Sequence, residues 1–137
     1  MSPRTPLAAL AAAALVAGLA AAPASAKKAP TAAQKAAITQ AVRTTPVGDV
    51  NQTPKAWYRV DRIKISSASK NWAIAWQTAT KKGENKFQPA YFILVNPAGT
   101  KGWTVVDVGT ALVGCGIAPN AVVKDLIGAC PPGEGVS

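Results

Sequence analysis

The sequence predicts an α+β domain: an N-terminal helix packed on a four-stranded antiparallel meander, with a short C-terminal helix tied by one disulfide. Three observations carry this prediction. Residues 31–44 repeat apolar side chains at helical spacing. Four segments between residues 57 and 110 have strand chemistry and are separated by turn-forming runs. The two cysteines, Cys115 and Cys130, bracket a short stretch that has helix signals of its own. Short connections favour antiparallel neighbours, and a sheet with an apolar face needs a covering layer.

The chain opens with Arg4, an uninterrupted small and apolar run over Leu7–Ala22, and the tripeptide Ala24-Ser25-Ala26 followed by Lys27-Lys28. This is the pattern of a secretory signal peptide over residues 1–26, cleaved after Ala26. The run is shorter and poorer in large apolar side chains than the roughly 20 residues a spanning helix needs. Residues 27–137 are then a single secreted domain with no transmembrane segment, extracellular or held at the cell surface. No cysteine follows the cut and no arginine pair precedes the apolar run, so neither a lipoprotein nor a twin-arginine route is expected.

Thr31 is placed to cap a helix that runs to about Thr44. Ile38, Ala41 and Val42 form its apolar stripe, and Gln34 one turn earlier keeps that stripe short. Pro46 and Gly48 end it, and residues 47–54 read as a loop. The first strand spans Trp57–Ser66. Tyr58 and Val60 alternate in phase, as do Ile63 and Ile65, but the two pairs are one residue out of register with each other. Side chains alternate along a strand, so a bulge near Asp61 is required to bury both pairs together. That bulge also gathers Arg59, Arg62 and Lys64 on the opposite face. The second strand, Trp72–Thr80, sets Trp72, Ile74, Trp76 and Thr78 on one face and Ala73, Ala75 and Gln77 on the other. Lys81-Lys82-Gly83-Glu84-Asn85 reads as a hairpin loop. A third strand over Phe87–Val95 is apolar on both faces from Tyr91, as a doubly covered central strand is, and Pro89 confines its start to an edge or a bulge. Asn96-Pro97-Ala98-Gly99 is a turn, and Trp103–Thr110 is the fourth strand. Pro119 suits the first position of a short helix over Asn120–Ile127. Val122, Val123 and Leu126 are its stripe and Gly128 its stop.

Composition excludes several chemistries. Histidine is absent, which removes the commonest general base and metal ligand together. Ser-His-Asp and Cys-His sites are impossible, and two cysteines cannot make a Cys₄ zinc site. No metal and no cofactor is expected. In an exported chain Cys115 and Cys130 are expected to be oxidised to each other. A bridge closing so short a loop stabilises by roughly 3 kcal/mol on the chain-entropy account. The six acids are scattered along the chain, so an enzyme built on Asp61 or Asp107 is a minor alternative that requires a concave pocket around a perturbed carboxylate.

The formal net charge is +9, and a chain this basic is drawn to anionic surfaces. The cations form two sets, Arg59, Arg62 and Lys64 on the bulged strand and Lys81, Lys82 and Lys86 around the hairpin loop, with Trp57 nearby. Cations beside an exposed aromatic suit a polyanion backbone. Solvated strand charges and a lysine-rich loop tip are the plain structural account of the same residues. Trp72 and Trp76 share a face with Ile74 and are expected in the core, whereas Trp57 and Trp103, at strand starts, are the candidates for exposed contact residues.

Gly102-Trp103-Thr104-Val105-Val106-Asp107-Val108-Gly109-Thr110, Cys115-Gly116, Lys124-Asp125-Leu126 and Cys130-Pro131 resemble the C-terminal parts of small secreted proteins of high-GC Gram-positive bacteria. The resemblance implies export, the disulfide and a helix ahead of a four-stranded meander; it carries no catalytic motif and no site residues. The function expected is a non-enzymatic secreted binding protein for an anionic partner: a cell-wall polymer, a membrane surface or an acidic protein. No nucleic-acid motif is present, so specific nucleic-acid recognition is not expected. The alternative is an inhibitor of a secreted hydrolase, with Lys81–Lys86 entering the enzyme's cleft.

Overall fold

The computed structural model describes residues 29–97 and 102–135. The signal-peptide expectation over residues 1–26, Lys27-Lys28 and the far side of the turn at residues 98–101 lie outside the described residues. The element order is α1 (Ala32–Thr44), a 3₁₀ segment (Val47–Gln52), a single 3₁₀ turn (Lys55–Trp57), β1 (Tyr58–Ile65), β2 (Trp72–Ala79), β3 (Tyr91–Val95), β4 (Thr104–Gly109) and α2 (Asn120–Leu126). The strands lie in the order β1-β2-β3-β4 with every neighbouring pair antiparallel. This is the expected meander, with a helix on each side of it.

α1 starts in a capping box. The Gln34 N–H donates to Thr31 Oγ1 at 3.1 Å, and the Thr31 N–H donates to Gln34 Oε1 at 2.9 Å. Two of the helix's orphan donors are thereby satisfied. Ile38 and Val42 are fully buried. They pack with Tyr58, Ala73, Ala75, Phe92, Leu94, Val105 and Val50 in the larger core cluster, which Val60, Ile63 and Ile65 also join. The helix approaches both edge strands, β1 and β4, and so crosses the sheet. Ala73 and Ala75 of β2 lie buried in the cluster beneath it.

Two boundaries differ from expectation. Residues 47–52 are a 3₁₀ segment rather than a loop, with Gly48 and Asp49 at φ 67° and 54°. A Cβ on Gly48 would stand 2.9 Å from Val108 Cγ1, so the segment is pressed against β4 and is ordered by that packing. β3 begins at Tyr91 rather than Phe87, because residues 81–87 form successive turns and Pro89 supplies no N–H to a ladder. The pairing reaches one step further back only through the Gln77 N–H to the Ala90 carbonyl, 2.9 Å.

The second face of the sheet carries a separate cluster. Ile74 and Ile93 pack with Val113, Ala118, Val122, Val123 and Leu126. Cys115 and Cys130 are joined, with Cα atoms 5.7 Å apart, and the bridge clamps the segment after β4 to the segment after α2. Pro119 stands immediately before α2 rather than inside it, and its carbonyl accepts from the Val122 and Val123 N–H groups. Asp125 ties α2 to the β1–β2 turn: Oδ2 accepts from the Ser67 N–H at 2.8 Å and Ser66 Oγ at 3.1 Å, and Oδ1 accepts from Ser67 Oγ at 2.7 Å. β3 is thus covered on both faces, as its composition predicts.

Candidate functional site: a basic, aromatic sheet face

The phase slip in β1 is a bulge. Arg59 pairs with Thr78 and Asp61 with Trp76, but Lys64 pairs with Ile74, so Arg62 and Ile63 together oppose Ala75. Cross-strand partners share a face. Arg59, Asp61 and Lys64 therefore lie on the face of Trp76, Thr78 and Ile74, away from α1. Arg62 joins them, its guanidinium 5.8 Å from the centre of the Trp76 ring. Arg59, Arg62 and Lys64 are all exposed, as the sequence argument requires.

Arg62 has φ 50°. The first residue of this kind of bulge is ordinarily a glycine, because the left-handed conformation crowds a Cβ. Here the position carries a long cationic side chain instead, and the strained backbone aims it at an aromatic ring.

The cations are not equivalent. Arg59 Nε lies 3.0 Å from Asp61 Oδ2, with the two side chains 65% and 30% exposed. Thr78 Oγ1 donates to the same carboxylate at 2.8 Å. Arg59 is therefore partly neutralised by its neighbour. Among the described residues Arg62 and Lys64 have no carboxylate partner, and they carry the uncompensated charge of this face.

The loop cations stand at the other end of β1. The Thr80 N–H donates to the Trp57 carbonyl at 2.8 Å. Gly83 is packed so closely on Trp57 that a Cβ there would collide with the Trp57 carbonyl. Lys86 Nζ lies 5.0 Å from the centre of the Trp57 ring, while Lys81 and Lys82 point from an exposed turn. Trp57 is half-buried under Lys86. The loop lysines thus stand at the Trp57 end of β1, the end that also carries Arg59, whereas Arg62 and Lys64 lie at its bulge and beyond.

Sequence reasoning missed the aromatic part of the site. Trp72, expected in the core, is half-buried and packs against the second cluster. Trp76 is only half-buried; its ring centre lies 4.0 Å from that of Tyr91, with the planes at 49°. Trp103, a candidate for exposure, is half-buried and packs on the α1-side cluster. The parity of β2 was available as a signal: a bulge that turns Arg62 to the second face turns it toward Trp76. Beside these residues an open groove of about 500 Å³ runs between β1 and the end of α2.

Asp61 and Asp107 have structural partners. Asp107 accepts from the Val108 N–H at 2.9 Å and from the Gly114 N–H at 2.6 Å, and so folds the segment after β4 back on the sheet. Among the described residues no cluster of three or more acids or cysteines is placed to hold a metal, and no helix is long and apolar enough to cross a membrane. No family model matches the chain, and neither a curated protein nor a solved structure is found to be similar to it.

Proposed function

We propose that the chain is a non-enzymatic binding protein that acts outside the cell on an anionic partner, engaged through Arg62 and Lys64 on the second face of the sheet. One observation carries the reading: the β1 bulge holds Arg62 in a left-handed conformation over Trp76. Strained non-glycine positions concentrate at functional sites, and here the strain serves the placement of one exposed cation. The leader-like N-terminus and the disulfide support export, and the net charge of +9, only one unit of which is Arg4 of that leader, supports long-range attraction to anions. The inhibitor reading rests on Lys81–Lys86, which is folded as turns against Trp57 rather than extended, and the sheet face is preferred to it.

The test is binding to immobilised heparin as a generic polyanion across a salt series. Arg62→Ala with Lys64→Ala should weaken binding and flatten the plot of log affinity against log salt by about one unit of slope per cation removed. Arg59→Ala should do less, because Asp61 already neutralises Arg59. Equal affinity and equal slope for the double variant and the parent would sink the proposal.

A further inference from the structure

The groove beside the two cations is apolar on its other sides. Its apolar lining is Ile63, Ile74, Tyr91, Leu126 and Ile127, and Arg62 and Lys64, both exposed, complete it. The groove is open, and its volume of about 500 Å³ is within the size range of small-molecule clefts. Ile127 is 44% exposed, a large apolar side chain turned to solvent at the mouth of the groove. The sheet side is well packed. Ile74 and Ile93 are fixed in the second cluster, and Asp125 and the disulfide hold α2 against the turn and the C-terminal segment.

We infer that this groove binds a single-chain amphiphile with an anionic head, a medium-chain carboxylate, with the chain on Ile74, Leu126 and Ile127 and the head on Arg62 and Lys64. The inference rests on the anion-binding reading above and narrows it. The lining decides the chemistry. Apart from the Tyr91 hydroxyl, its polar side chains are the two cations, so a ligand body with polar groups along its length would be desolvated without partners. A ligand that is apolar along its length and negative at one end matches every wall. The Trp76–Tyr91 pair stands at the head end, where Arg62 lies over Trp76, so occupancy should perturb tryptophan emission.

The experiment uses dodecanoate below its micelle-forming concentration, followed by calorimetry and tryptophan fluorescence. One saturable site is expected, and dodecyltrimethylammonium, with the same chain and the opposite charge, should not compete for it. Ile127→Ser, at a half-exposed position that does not test the core, should weaken dodecanoate about tenfold and leave heparin affinity and salt slope unchanged. Arg62→Ala with Lys64→Ala should weaken both ligands. The inference is overturned if dodecanoate does not saturate, if the cationic amphiphile binds as well, or if Ile127→Ser has no effect. It is also overturned if the protein binds anionic vesicles but not monomeric dodecanoate, which would assign the face to a membrane. Heparin binding with no dodecanoate binding removes the groove and leaves the proposed function standing; the reverse removes the polyanion reading and leaves the groove.

Discussion

The two faces of this sheet are made by the same four strands and finished in different ways. The α1 face is covered by a capped helix of 13 residues that crosses the sheet, and Ile38, Val42, Ala73, Ala75, Phe92 and Leu94 beneath it are fully buried. The other face is covered by a helix of seven residues, too short to cross the sheet. It reaches over Ile74 and Ile93 but leaves the β1 side open, where Arg62, Lys64 and half-buried Trp76 remain. A long helix closes its face into a core, whereas a short one needs outside fastening and leaves room for a site. The fastenings are the disulfide and Asp125. Stability should therefore reside mainly on one face and binding on the other.

The strongest way to break that division is to cut into each face and compare. Phe92→Ala removes a fully buried ring from the α1 side and should cost about 3–5 kcal/mol. Leu126→Ala, on the partly open side at 8% exposure, should cost about 2 kcal/mol, at the low end for such a truncation. Denaturant unfolding of the two variants measures both. An equal loss would mean that the short helix contributes as much to the fold as the long one.

The fastenings come next in size. Replacing both Cys115 and Cys130 by Ser should cost about 2–4 kcal/mol. Asp125→Ala leaves the Ser67 N–H and the hydroxyls of Ser66 and Ser67 without their acceptor and should cost about 1–3 kcal/mol. Hydrogen exchange should show the difference between the faces: α2 amides lose protection in either variant, while α1 and β2 keep theirs. Uniform loss across the domain would show that the two covers unfold as one unit.

What the sequence showed of this arrangement follows the range of the interactions. The α1 boundaries were legible because the capping residue, stripe and stop all lie within the helix or next to it. The β1 bulge was legible because Val60 and Ile63 cannot share a face without it. The pairing of the cysteines needed only that they are two. A short C-terminal helix with its apolar stripe, and a β3 covered on both faces, were legible from local pattern; how that helix is fastened was not, since it depends on Asp125 meeting Ser67 across 58 residues of chain. The 3₁₀ segment at Val47–Gln52 takes its shape from Gly48 pressing on Val108, also distant in sequence. Of the site, Arg59, Arg62 and Lys64 could be named from residue order, and Trp76 could have been added from the parity of β2. The openness of the face around Trp76, Tyr91 and Ile127 could not be read, because alternation tells which residues share a face and not which face is sealed.

A buried hydroxyl sharpens the same comparison at the α1 face. Tyr58 is 2% exposed, and among the described residues its Oη and the Nε of Arg43 are buried without a hydrogen-bond partner. Burial raises the Tyr58 phenol above its ordinary value of about 10, against an opposing pull from Arg43. Above that ordinary value the unfolded chain ionises first, so the unfolded state holds fewer protons and stability falls as pH rises. The contribution is complete below the unfolded pKa and is lost toward the raised folded one. Tyr58→Phe should be unchanged or up to about 1 kcal/mol more stable at neutral pH, since it removes a desolvated hydroxyl. It should also lose this part of the alkaline decline. Thermal melts of both proteins at neutral and strongly alkaline pH decide it; parallel curves would show that Tyr58 does not titrate differently on folding.

The smallest effect on stability is the sharpest test of the division between the faces. Arg62 occupies a left-handed position, φ 50°, and glycine is the residue that adopts this conformation without strain. Arg62→Gly relieves the crowding at Cβ but gives the unfolded chain more freedom to lose and removes an exposed cation–π contact, each worth about 0.5–1 kcal/mol. The net should be small, with Arg62→Gly about 0.5 kcal/mol more stable than Arg62→Ala, which keeps the strain and loses the same contact. Both variants should lose heparin affinity to the same degree, because both lack the guanidinium. A stability order of Gly above Ala with equal loss of binding would show that the position is held by its ligand and not by the fold. If Arg62→Gly were markedly destabilised, the guanidinium over Trp76 would be a structural contact, and the open face would have lost the observation that makes it a site.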